Sequence, residues 1–252
     1  MRLFVLLLMG CVASTAVLDG QVRVLVWSER SEPVEVYPAG INGAIAEMLA
    51  PQRGVRPAVA NLLDPEQGLS EEVLSQTDVL IWFGHRNHAD VSDESVQRVV
   101  SHIRERGMGF LPLHSAHYCR VFQELMRIKA AETGRALDEP VGEWGHVRDS
   151  GAAEAIHVLQ PGHPIAKGVA DFVIPKTELY ANPFRVPPPD EKILEGSWEG
   201  GEQHGSDGLA WTVGRGKIFY FRPGHETYPI YRQPEVQQIL RNAVLWLAKP
   251  GS

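Results

Sequence analysis

The stretch DVLIWFGHRNHADVSDESVQRVVSHIRERGMGFLPLHSAH (Asp78–His117) reads as strand, helix, strand. Asp78–Gly84 is a short, continuous apolar run, the pattern of a strand buried on both faces. Val91–Gly107 has helical spacing: Ser92 can cap it, Asp93 and Glu94 fill the first turn, and Val96, Val99, Val100 and Ile103 form one stripe. Gly107 ends it, and Met108–His114 is a second apolar run. Both runs stop at His-x-x-His, as His85/His88 and His114/His117. A helix between two such strands implies a crossover connection and parallel pairing.

The same alternation extends upstream. Val22–Trp27 (VRVLVW) is a strand, and Gly40–Ala50 a helix with Ile41, Ile45, Met48 and Leu49 on one face. Val55–Leu62 is a second strand, and Leu69–Gln76 a short helix opened by Ser70. Downstream, a helix is predicted over His117–Arg127, and residues 130–155 read as charged, Gly-rich and irregular. Short strands then follow at EAIHVL (Glu154–Leu159) and Lys192–Gly196. LAWTV and KIFYF form a hairpin around Gly214-Arg215-Gly216, and Gln233–Ala248 closes the chain as a helix. No linker or repeat interrupts residues 22–248, which predicts a single α/β domain with a parallel sheet flanked by helices on both faces.

The totals narrow the function. Twenty-four Lys and Arg against 31 Asp and Glu give a formal charge of −7 over 252 residues, and no basic cluster stands out. Nucleic acid is therefore not an expected partner. Residues 1–16 have the form of a secretory signal peptide: Arg2, an apolar run Leu3–Met9, then Ser14-Thr15-Ala16 as a small-x-small cleavage site. The run is too short for a stable membrane span. Cleavage would place the mature chain in the periplasm or outside the cell; an uncut chain stays cytoplasmic. The stretch ending at Cys11 also loosely resembles a lipoprotein box. Cys11 and Cys119 are the only cysteines, so no disulfide framework supports the fold.

Ligands of parallel sheets sit beyond the carboxyl ends of the strands. The polar residues there are Glu29, His85, His88, His114, Ser115 and His117, joined by Glu178 and Tyr180 of TELY and by His225-Glu226. Imidazoles mixed with carboxylates suit a divalent metal. They equally suit metal-free acid–base work, since histidine titrates near neutrality. His102, His157 and His163 fall within elements or a turn and read as structural, as does Cys119. Ser115 lacks the flanking glycines of a nucleophile elbow. No Gly-x-Gly-x-x-Gly follows the first strand, so no nucleotide cofactor is expected.

With these residues in hand, the chain resembles the ThuA-like family, named for trehalose utilisation. The resemblance runs from about Val22 to Ala248 and is carried by YPAGINGAIAE, DPEQGLSEEVLSQTDVLIWFGHRNHADVSDE, GMGFLPLHSAH and GKIFYFRPGHETYPIY. It implies a flavodoxin-like sheet of the class I glutamine amidotransferase-like kind, a three-layer sandwich. The amidotransferase nucleophile is missing: His114 stands about where its cysteine would be, and Cys119 comes five residues later. Glutamine hydrolysis is not expected. The family's link to trehalose and to 3-keto sugars implies a small-molecule sugar substrate, with a homo-oligomer left open.

Taken together, these readings place His114, Glu178 and His225 at the catalytic centre and as ligands of a divalent metal, zinc or similar. His85, His88, His117, Tyr180 and Glu29 are the expected substrate contacts, with the GHRNH segment shaping the pocket. The rival reading is a non-catalytic sugar-binding or regulatory protein whose Trp27, Trp82, Tyr180 and Tyr228 stack on sugar rings.

Overall fold

The apolar runs become strands that alternate with helices in the first half of the chain. In order these are β1 (Val22–Ser28), α1 (Gly40–Leu49), β2 (Val55–Asn61), α2 (Glu71–Ser75), β3 (Val79–Phe83), α3 (Asp93–Arg106), β4 (Gly109–Leu113) and α4 (Arg120–Glu132). The second half is mostly strand: β5 (Trp144–Val158), β6 (Phe172–Phe184), β7 (Glu191–Trp198), β8 (Gln203–Val213) and β9 (Gly216–Phe221), closed by α5 (Pro234–Leu247). This computed structural model describes residues 20–135, 137, 140–198 and 203–248. The leader read over residues 1–16 lies outside them.

Every residue of β3 and β4 is buried, as their unbroken apolar character demands. Successive side chains point to opposite faces, so one strand feeds two cores. Val24, Val26, Ile81 and Leu111 pack with Ile41 and Ile45 of α1 and Val236, Ile239 and Leu240 of α5. Leu25, Leu80 and Phe110 pack on the other face with Leu74 of α2, Val99 and Ile103 of α3, and Leu125 of α4. The helices end as their capping residues dictate. Ser92 Oγ accepts the Ser95 N–H at 3.2 Å, and Gly107 closes α3 in the left-handed conformation at φ 80°.

The chain is an α/β protein with a large central sheet and helices on both faces, but the expected all-parallel, flavodoxin-like sheet needs correction. Among the described residues the strand order is β2-β1-β3-β4-β9-β8-β7-β5-β6. The pairings from β2 to β9 are parallel, and those from β9 to β6 are antiparallel. The hairpin around Gly214-Arg215 reverses the chain and starts the antiparallel half. β5 begins at Trp144, inside the segment read as irregular. Its pairing with β6 slips between Arg148 and Ala152 and again before Glu154, and such bulges hide the period-two signal from a sequence reader. The predicted helix over His117–Arg127 is also displaced. A 3-10 turn occupies His114–Tyr118, and α4 starts only at Arg120, where Cys119 Sγ accepts the Phe122 N–H at 3.4 Å.

One row of register partners matters for function. Ser28 pairs with Phe83, Phe83 with Leu113, and Leu113 with Phe221. Four parallel strands therefore end level, and the residues that follow them share a rim. Among the described residues no helix is long and apolar enough to cross a membrane.

Two substitutions separate local from core contributions. Ser92→Ala should cost about 1 kcal/mol through the lost cap. Leu111→Ala, emptying a fully buried position, should cost about 3 kcal/mol. Urea unfolding of both variants measures the difference; equal losses would contradict this ranking.

Candidate active site

The rim gathers His85 after β3, His114 after β4 and His225 beyond β9. Ring centroids lie 5.4 Å apart for His85 and His114, 4.8 Å for His85 and His225, and 5.7 Å for His114 and His225. Glu178 arrives from β6, which docks by its backbone: Glu178 N–H donates to Gly224 O at 3.4 Å. The three residues expected at the centre do converge, and His85 joins them as an equal.

His114 sits at φ 52°, a left-handed conformation that a non-glycine residue seldom adopts. Surroundings must over-determine such a position. The Tyr220 hydroxyl donates to His114 O at 2.8 Å, and the ring stacks on Tyr180 at 5.2 Å. Nδ1 lies 3.2 Å from Arg222 O, and Nε2 lies 2.9 Å from Glu178 Oε2. Both neighbours are acceptors, whereas a neutral imidazole carries one N–H. One of the two contacts therefore requires a second proton or a cation. Burial pushes the His114 pKa below the ordinary histidine value, against the pull of Glu178.

His85 has the same two-sided character. Its Nδ1 hydrogen-bonds Glu226 Oε2, and its Nε2 lies 3.9 Å from Glu178 Oε2. Burial works against its charge, but Glu226 and then Glu178 and Glu29 outweigh that and raise its pKa. Glu226 is fixed in turn by Arg86, whose Nη2 lies 3.1 Å from Oε1. Burial alone would raise the carboxylates. Glu178 is nevertheless held at about 2 by His114, the Tyr180 hydroxyl and His85, and Glu226 at about 2 chiefly by His85. His225 differs: its Nδ1 faces both the Thr227 N–H at 3.2 Å and the Thr227 hydroxyl at 2.7 Å, and the tautomer that donates Nδ1–H to that hydroxyl carries its lone pair on Nε2.

Among the described residues two groups bring ligand atoms within 4.8 Å of one another: His85, His114 and Glu178, and His85, His225 and Glu226. The first fits a cation better. His85 and His114 can both commit Nδ1–H to an acceptor, the Glu226 carboxylate and the Arg222 carbonyl. Both Nε2 lone pairs then face Glu178, which is how metal-bound histidines are ordinarily oriented. In the second group the Glu226 carboxylate and His225 Nδ1 already hold protein partners.

The remaining expected contacts support the rim rather than open onto it. Tyr180, 2% exposed, donates its hydroxyl to Glu178 Oε2 at 2.6 Å and meets Ser115 Oγ at 2.7 Å. Burial and then Glu178 keep it a phenol. Glu29 accepts the backbone N–H groups of Arg86 and Asn87 at 2.7 and 2.9 Å, so it grips the GHRNH loop. His117 is enclosed by Tyr118, Trp144, Tyr180, Phe184 and Tyr220, with Nδ1–H donated to Gly142 O at 2.6 Å. His88 packs beside Tyr118, and neither ring nitrogen has a hydrogen-bond partner among the described residues. Cys119 is buried and its thiol is pushed up to about 12, which suits a cap and not a nucleophile. Trp27 and Trp82 stack on each other at 3.9 Å inside the core, so they offer no face to a sugar.

Sequence pattern names Glu226 among the polar residues at strand ends but gives it no role, and it does not single out Arg222, Glu154 or Asp207. The signal available for Arg222 was its place at the end of a strand that stops level with those bearing His85 and His114.

A family model described as trehalose utilisation (ThuA) matches residues 23–247. The chain belongs to the ThuA family. Solved structures of similar fold include a ThuA-like protein of Parabacteroides merdae ATCC 43184, with 16% identity, TM-score 0.63 and 90% of each chain covered. Another is a ThuA-like protein of Bacteroides uniformis ATCC 8492, with 15% identity and TM-score 0.59, covering 90% of this chain and 91% of that one. A cytoplasmic protein of Salmonella typhimurium has 15% identity and TM-score 0.58, with 90% of this chain and 99% of that one covered. At such identity these neighbours speak for the fold that this ThuA-family chain shares with them. No curated protein matches it.

The depressed carboxylates give the ThuA-family rim a pH signature. Folded values of about 2 lie below the roughly 4.3 of an unfolded glutamate. Their stabilisation is thus complete above about pH 5 and is lost as pH falls toward 2. Urea midpoints taken from pH 6 to pH 2 should drop steeply for the native chain and less steeply for Glu226→Gln. Parallel curves would remove Glu226 from the account.

Proposed function

We propose that this chain is a carbohydrate-catabolism enzyme acting on trehalose-type disaccharides or their 3-keto derivatives. The observation that carries the reading is the convergence of His85 Nε2 and His114 Nε2 on one buried carboxylate, Glu178, beside the ring of His225. Family membership supplies the sugar.

His85, His114 and Glu178 are the residues that would hold a divalent metal, zinc or a related ion. This replaces His225 with His85 in the ligand set, because the ligand atoms of His114 and Glu178 come within 4.8 Å of one another together with His85. When bound, such an ion supplies Lewis-acid polarisation of a carbonyl oxygen. The chain's own groups divide the remaining work. A carboxylate at about 2 is a weak base at neutral pH, so Glu178 serves as a ligand and electrostatic clamp. Proton movement falls to His225: with Nδ1–H donated to the Thr227 hydroxyl, its Nε2 lone pair can take up a proton. In a 3-keto glycoside the C–H between the keto and anomeric carbons is acidic. Transfer of that proton to His225 Nε2 leaves its electron pair to form a C–C double bond to the anomeric carbon as the glycosidic C–O bond breaks, and the same proton returns from His225 to the departing oxygen.

Without a metal, the same residues support acid–base chemistry with a protonated His85 held between Glu226 and Glu178. The non-catalytic sugar-binding reading is less well supported, because Trp27, Trp82 and Tyr180 are buried. The leader reading also stands as a proposal: cleavage after Ala16 gives a periplasmic or secreted form, and N-terminal sequencing of the mature chain distinguishes this from a cytoplasmic one.

The test combines bound-metal analysis with turnover of 3-keto-trehalose, with and without chelator. About one ion per chain and chelator-sensitive turnover are expected. His114→Ala and Glu178→Gln should lose the ion. His225→Ala should keep it while turnover falls by about 10² to 10⁴. Absence of both metal and turnover of any 3-keto glycoside would overturn the enzyme reading.

A further inference from the structure

Beneath the rim lies a second charged cluster that the chemistry above does not use. Arg222, Glu154 and Asp207 are all 0% exposed and come from three places in the sheet: the end of β9, β5 and β8. Arg222 Nε donates to Asp207 Oδ1 and Nη2 to Glu154 Oε1, while Nη1 donates to Glu178 O at 3.1 Å. The indole of Trp198 covers the guanidinium at 5.8 Å.

Space for these charges is built into the sheet. Gly196 and Gly205 are register partners across β7 and β8. A Cβ on Gly196 would collide with Asp207 Oδ2 and Glu154 Oε1, and one on Gly205 would come 3.0 Å from Arg222 Nε. Two carboxyls thus flank one guanidinium in a pocket that only paired glycines can leave open. Three ionised groups would bury an uncompensated negative charge, which is costly in a dry interior. The other charges nearby, Lys192 and Glu195 on β7, pair with each other at 2.7 Å and supply no net compensation. Burial raises both acids, Glu154 to about 8.

The cluster reaches the rim through main-chain atoms. Arg222 O is the acceptor facing His114 Nδ1, and the carbonyl of Glu178 is held by Arg222 Nη1. Arg222 N–H also donates to Asp207 O at 2.9 Å, which fixes the peptide that carries the acceptor.

We propose that Arg222, Glu154 and Asp207 form a positioning unit in which the two carboxyls share a single proton, and that this unit sets the tautomer of His114 and the orientation of Glu178. Arg222 is a positioning residue, acting through its own carbonyl and that of Glu178. The unit needs no ligand to exist, but its purpose rests on His114 and Glu178 being the working groups of the proposed site.

A single shared proton makes a distinctive prediction for amide substitutions. Glu154→Gln leaves Arg222 with one carboxylate, and so does Asp207→Asn; each stays neutral overall. The double variant leaves a buried guanidinium unpaired. Thermal unfolding of the full chain at pH 7 should find each single variant within a few degrees of the native melting temperature. The double variant should melt about 10 °C lower, far more than the sum of the singles. Nitrogen-15 spectra of the His114 imidazole give the second readout. The native chain and Glu154→Gln should both carry the proton at Nδ1. The triple variant Arg222→Met with Glu154→Gln and Asp207→Asn removes every charge and can still pack; its His114 resonances should move toward a tautomer mixture. Single variants as damaging as the double would overturn the shared proton. A folded triple variant with native His114 resonances would overturn the positioning role. Neither measurement involves substrate or metal, so failure of the enzyme reading leaves both outcomes interpretable.

Discussion

A neutral imidazole has one N–H to give, and His114 is set between two acceptors, the Arg222 carbonyl and the Glu178 carboxylate. Much of the rim can be understood as arranging that conflict. The left-handed backbone at His114 turns the ring inward, Tyr220 and Tyr180 pin it, and Tyr180 also satisfies the oxygen of Glu178 that His114 confronts. His85 repeats the motif with Glu226 in place of the carbonyl. Two rings anchored at Nδ1 and open at Nε2, converging on an ionised carboxylate, describe a place prepared for positive charge. The acid–base and metal readings differ only in whether that charge is a proton or an ion.

The mixed sheet explains how these groups meet. The parallel half ends level, so β3 and β4 deliver His85 and His114 by register alone. That half has no carboxylate in the right place, because Glu29 is spent on the backbone of the His85 loop. The antiparallel half supplies it. Although β6 is the outermost strand, the bulged β5–β6 ribbon bends until Glu178 bonds to Gly224 beside His114.

Sequence patterns reached the first part of this arrangement and missed the second for a physical reason. Continuous apolar runs, caps and His-x-x-His endings are local signals, so β1, β3, α3, β4 and the location of His114 could be read directly. Glu178 can be collected from TELY as a polar candidate, but family resemblance is what gives it weight, since a lone glutamate in an irregular-looking stretch has no local signature. His85 was placed at the margin because its importance depends on Glu226, 141 residues away. The apparent equivalence of His88 and His117 to their partners dissolves for a similar reason: His117 is claimed by its neighbour Tyr118 and by four aromatic rings gathered from three strands. Arg222, Glu154 and Asp207 each look like an ordinary polar strand residue until Gly196 and Gly205 bring them together.

The long spans within the rim have a bearing on timing. His114 meets Arg222 across 108 residues, and His85 meets Glu226 across 141. Contacts of such separation form late, because the chain must first meet the entropy of closing large loops. During synthesis the histidines emerge long before Glu226 exists to orient one of them. A nascent or clipped chain therefore carries imidazoles with nothing to aim them, and the rim becomes competent only when the last strand has joined the sheet. Completion of the fold and assembly of the rim are one event in this protein.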